Sequence, residues 1–144
     1  MINFKEYLME SSDYRGQHTA PSSDGGAPLH KLNDDIYPDD IYSNKAARYY
    51  GDGSIFDNQS ISLIHSFRGK PNKMVTIYRA VPNEAPNEIT DGDWVTINMN
   101  YAKQHGKMVL KGQQKLDYKI ISKKVPARTV WTDGNSIHEF GYNA

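Results

Sequence analysis

Arg79 interrupts the run Met74–Val81, MVTIYRAV, in which every other side chain is apolar, β-branched or aromatic. A guanidinium in such a strand is costly unless a carboxylate or a ligand anion meets it. Glu139, between Ile137 and Phe140 near the end of the sequence, is one carboxylate that could do so. The pair therefore carries two readings, a structural ion pair or a site in which the arginine holds an anion and the glutamate faces a cation. The five histidines show no close metal-ligand spacing, and with no cysteine in the chain neither thiolate chemistry nor a cysteine-ligated metal is available. His138 is the exception among them, because beside Glu139 and with Arg79 it could serve acid-base cleavage of RNA without a metal. The aspartate pairs Asp34-Asp35 and Asp39-Asp40 lack the ligand periodicity and terminal glutamate of a calcium loop. No metal is expected.

The elements that must position these residues follow from periodicity and punctuation. Phe4, Tyr7 and Leu8 give the first ten residues the spacing of a short amphipathic helix. Residues 11–32 are rich in Ser, Gly, Pro and Asp, which suits an extended segment; Tyr14, Arg15, Gln17 and His18 are more than a spacer needs. Ser43 is expected to cap a helix over Asn44–Tyr50 that Gly51 stops, and Asp57 or Asn58 to cap a second one running to about Phe67. From Met74 strands dominate: Met74–Val81, then Trp94–Ile97 after a turn at Asp91 and Gly92. Asn98 or Asn100 is placed to cap a helix carrying Tyr101, Ala102 and His105, with Gly106 at its end. Val109 and Leu110 suggest a strand start, Tyr118–Ser122 is a strand, and Val125–Trp131 follows a lysine-flanked bend. Ser136–Tyr142 closes the chain. Short helices followed by a split, mainly antiparallel sheet describe an α+β domain.

The order of these features resembles that of ADP-ribosyltransferases of the arginine-serine-glutamate class. The resemblance runs from Thr76 to Tyr142 and rests on Ile77-Tyr78-Arg79-Ala80-Val81, on Gly92-Asp93-Trp94-Val95-Thr96 with the following Tyr101–His105 helix, and on Ser136-Ile137-His138-Glu139-Phe140-Gly141-Tyr142. It implies NAD as cosubstrate, with Arg79 holding the phosphate and ribose region. Thr96 would brace the nicotinamide pocket where the family has a serine, and Glu139 would bond the ribose hydroxyl and stabilise positive charge on the sugar. Ala80 would line the NAD site, and Tyr78, Trp94, Tyr101 and Tyr142 are the aromatic candidates for stacking on nicotinamide. The family's arginine-modifying members carry a second glutamate or glutamine two residues before the catalytic one; here that residue is Ile137, so arginine is not the expected acceptor. The family's Ser-Thr-Ser motif is reduced to Thr96-Ile97-Asn98.

Two further resemblances concern the start of the chain. Tyr14–Pro21 and Gly26–His30 are similar to sequence that precedes such domains in phage-associated proteins, which would lay Arg15 and His18 over the cleft. Met1–Glu10 resembles the capsid-targeting leader of internal head proteins of T-even-type phages, cut after Leu-x-Glu, and Leu8-Met9-Glu10 fits that rule. The implied organisation is a leader over residues 1–10, an extended segment over 11–32 and a transferase-like domain over 33–144. A protein packaged in the phage head and acting in the host cytoplasm would result. The 17 basic and 17 acidic residues cancel, so attraction to a nucleic-acid or anionic membrane surface would need a local patch. No apolar run approaches the roughly 20 residues of a membrane span. The expected activity is transfer of ADP-ribose from NAD to a host protein or nucleic acid. The rivals are a non-catalytic phage protein that binds a nucleotide or a host defence protein, and a metal-independent ribonuclease.

Overall fold

The computed structural model describes residues 20–144. The expected Ile2–Glu10 helix, the Leu8-Met9-Glu10 cleavage site, Arg15 and His18 lie outside the described residues. The segment from Ala20 to Leu32 is no spacer: Ala27, Leu29 and Leu32 are buried, and Ala27–Pro28 forms a short strand, β1, against Thr132 and Trp131. A 3₁₀ turn, Asp39–Tyr42, and two helices come next, α1 over Ala46–Tyr50 and α2 over Asp57–Ser66. The α1 helix starts later than Ser43 suggests, because the Ser43 hydroxyl accepts the Lys45 N–H at 3.2 Å and closes a turn ahead of it. Ser60, Ile61 and Ile64 supply the buried stripe of α2.

The run around Arg79 forms β2, Met74–Pro82, as its β-branched and aromatic content dictates. It pairs over its whole length with β4, Tyr118–Pro126, so the lysine-flanked bend expected near residue 124 is absent. Lys123 and Lys124 are exposed on the two-stranded ladder, where charge does not interrupt pairing. A 3₁₀ turn at Ala127–Thr129 separates β4 from β5, Val130–Thr132. β3 (Trp94–Val95) pairs with β6 (Phe140–Tyr142), and the second sheet runs in the order β1-β5-β6-β3, all antiparallel. The two sheets meet where Tyr78 and Thr96 exchange both backbone hydrogen bonds, at 2.8 and 2.9 Å. The fold is therefore α+β with antiparallel sheets. Ile64, Ile77, Val95, Val125, Val130 and Phe140 belong to one core.

The helix after β3 departs from expectation. Asn98 caps it, its side chain accepting from the N–H groups of Asn100 and Tyr101, and α3 spans Met99–His105. Gly106 does not stop it: the chain continues as a π-helix through Gln113, which takes Val109 and Leu110 out of any strand. The glycine is needed for packing, since a Cβ there would lie 2.5 Å from the Tyr118 ring. Among the described residues no helix is long and apolar enough to cross a membrane.

Candidate active site

The register of three strands brings the sequence-selected residues to one seam. Thr96 bridges Tyr78, the neighbour of Arg79, and Val95 pairs with Phe140, the neighbour of Glu139. Arg79 is fixed by a hydrogen bond from its Nη1 to the Trp94 carbonyl at 3.0 Å. Glu139 is reached from α3, whose Tyr101 hydroxyl donates to its Oε1 at 3.1 Å. His105, one turn along α3 from Tyr101, feels both charges. Partial desolvation holds its imidazole below the ordinary histidine value, Glu139 opposes that effect and Arg79 adds to it.

Thr96 is 4% exposed, and its Oγ1 accepts the Asn98 N–H at 3.1 Å. Its hydroxyl shapes the turn from β3 into α3. Trp94 is half-buried, and its carbonyl orients Arg79. Side chains alternate along a strand, so Ala80 presents its methyl to the face opposite Arg79. Tyr142 is built into the core, with Lys123 Nζ 4.7 Å above its ring.

Beneath Glu139 lies a polar network that sequence reasoning did not find. His138 is 1% exposed. Its Nε2 meets Asp57 Oδ1 at 2.9 Å and its Nδ1 meets Ser60 Oγ at 2.7 Å. Because an ionised carboxylate only accepts, Nε2 carries a proton; Ser60, whose Oγ accepts from Asn98 Nδ2 at 3.2 Å, donates its own proton to Nδ1. The His138 ring stacks on Tyr101 with centroids 4.8 Å apart and planes 13° from parallel. The burial of His138 removes it as a surface acid-base group. Asp57 is held from the loop before α2, by the N–H groups of Asp52 at 3.2 Å and Gly53 at 2.9 Å. Its carboxylate turns back to this loop and does not cap the helix.

Asp52, Asp57 and His138 place one ligand atom each within 4.8 Å of one another. The hydrogen bond between His138 and Asp57 already uses the imidazole N–H. No family model, curated protein or solved structure matches this chain. The site must be read from its own geometry.

Gly51 tests the packing around Asp57. A Cβ at this position would lie 2.2 Å from Asp57 Oδ2 and 2.4 Å from the Ala47 carbonyl oxygen. Gly51→Ala is therefore expected to destabilise the fold by about 1–3 kcal/mol, read as a lower urea midpoint. An unchanged midpoint would show that the carboxylate is not packed against this backbone.

Proposed function

We propose that this chain splits NAD and transfers ADP-ribose to a host macromolecule, with Arg79 binding the diphosphate and Glu139 stabilising the reacting sugar. One observation carries the reading: β2, β3 and β6 bring Arg79, Thr96 and Glu139 to a common seam, in the chain order that suggested this chemistry. Breaking the ribose–nicotinamide bond develops positive charge on the sugar, and a fixed carboxylate beside it favours the transition state over the ground state. Arginine suits the phosphates because it presents several donors and keeps its charge. Tyr101 fixes Glu139 through its hydroxyl while its ring stacks on His138, so its part is to position the carboxylate. With Ile137 buried two residues before Glu139, no polar side chain stands there to receive an arginine acceptor.

Incubation with NAD and measurement of released nicotinamide tests the reading; no release above background would remove it. Arg79→Ala is expected to weaken NAD binding about 10- to 100-fold, the value of one or two charge-assisted hydrogen bonds. Isothermal titration measures this, and an unchanged affinity would take the diphosphate away from Arg79.

A second reading has one observation of its own. His105 stands one turn along α3 from Tyr101, which holds Glu139, and a histidine near a carboxylate is a set suited to metal-independent RNA cleavage. Degradation of bulk RNA in EDTA without nicotinamide release would favour it. The likeness of Met1–Glu10 to a capsid-targeting leader extends the transferase reading to a packaged protein. Protein recovered from virions is then expected to begin at Ser11, and mass spectrometry finding Met1 attached would exclude the leader.

A further inference from the structure

We infer that His138, Ser60 and Asp57 form a buried positioning device for Glu139, despite having the side-chain composition of a hydrolytic triad. A nucleophile must reach its substrate, and Ser60 is 0% exposed with its Oγ between Asn98 and His138. What the three residues do is close a ring of contacts. His138 is bonded to Ser60, and Ser60 to Asn98. Asn98 caps α3 by accepting from the Tyr101 N–H at 3.4 Å and the Asn100 N–H at 3.0 Å. Tyr101 stacks on His138 and donates to Glu139, whose backbone is joined to His138 by one peptide bond. Glu139 is thus held from its main chain and from its carboxylate by groups that all refer back to one imidazole. Asp57 holds the far side of that ring in place from α2. Side chains that act on a transition state need such support, because a small displacement of a charge costs rate without costing binding.

The kinetic part of this inference rests on the NAD reading; the structural part does not. The chain has five glutamates, so a protein labelled with ¹³C at glutamate carboxyls gives a spectrum in which loss of a signal in Glu139→Gln assigns Glu139. Ser60→Ala cuts the ring away from the site, and Tyr101→Phe removes the hydroxyl that touches the carboxylate. Both are expected to move the Glu139 signal. Ser60→Ala is also expected to lower kcat for nicotinamide release about tenfold with KM for NAD within about twofold. In a Glu139→Gln background the same change is expected to cost almost nothing further, because there is no charge left to misplace. A purely structural role would give the tenfold loss in both backgrounds and would overturn the inference. So would a Glu139 signal that moves in Tyr101→Phe and stays put in Ser60→Ala. If the parent protein releases no nicotinamide, the NAD reading fails and the carboxyl signals alone decide the positioning role. Should Ser60→Ala not fold, Ser60→Cys keeps a weaker donor of similar size, and its smaller signal shift is read by the same criterion.

Discussion

Glu139→Gln is expected to slow nicotinamide release about a hundredfold or more, the usual cost of one preorganised electrostatic contact, while NAD affinity changes by less than about threefold. The substitution keeps size and shape, and the Tyr101 hydroxyl still finds an oxygen to donate to. Only the charge is lost. In the ground state the nicotinamide ribose is neutral and asks no more than a hydrogen bond, which an amide also gives. In the transition state the sugar carries positive charge, and a neutral amide cannot oppose it. The loss therefore falls on kcat, with kcat/KM reduced by the same factor. Arg79→Ala has the opposite signature, because the diphosphate is charged before and after bond breaking, so its loss falls mainly on binding. Single-turnover release of nicotinamide with calorimetric NAD titration separates the two. If Glu139→Gln turns over as fast as the parent, the carboxylate has no catalytic role, and a protein that merely binds a nucleotide becomes the better description.

β2, β3 and the helices α1 and α2 were legible because their signals are local. Met74–Val81 carries its own strand pattern, and β2 covers it with one residue to spare. Asn98 announced its cap by residue type and supplies it. Gly106 shows where local reading ends: the glycine looked like a helix stop, but its reason is the Tyr118 ring, twelve residues on, against which a Cβ would collide. The lysines of β4 misled in the same way, since an exposed ladder tolerates them and the register with β2 decides where the strand ends. In the site, Arg79 and Glu139 stood out as charges in apolar company. Ser60 and Asp57 gave no such signal. They lie 78 and 81 residues from His138 in sequence, and nothing in α2 distinguishes a buried serine that meets a histidine from one that meets a carbonyl.

His138→Ala is expected to destabilise the fold by about 3–5 kcal/mol, the range for truncating a large buried ring. That is a large fraction of the roughly 5–15 kcal/mol that holds a domain of this size together. Three losses combine. The imidazole leaves a cavity in a site where it is 1% exposed, Ser60 loses the acceptor of its proton, and Tyr101 loses the ring it stacks on. A fourth loss is only partial, since Asp57 keeps the N–H groups of Asp52 and Gly53 and is not left without partners. That residual support places the expected value nearer to about 3 than to about 5 kcal/mol by the same scale. Glu139→Gln, at a half-buried position with its hydrogen bond retained, is expected to stay within about 0.5 kcal/mol of the parent. Urea unfolding measures both, and the contrast between them is the informative quantity. If His138→Ala costs less than about 1 kcal/mol, an ordinary single-contact effect, the network does not hold this corner of the fold. Glu139 would then owe its place to Tyr101 and β6 alone.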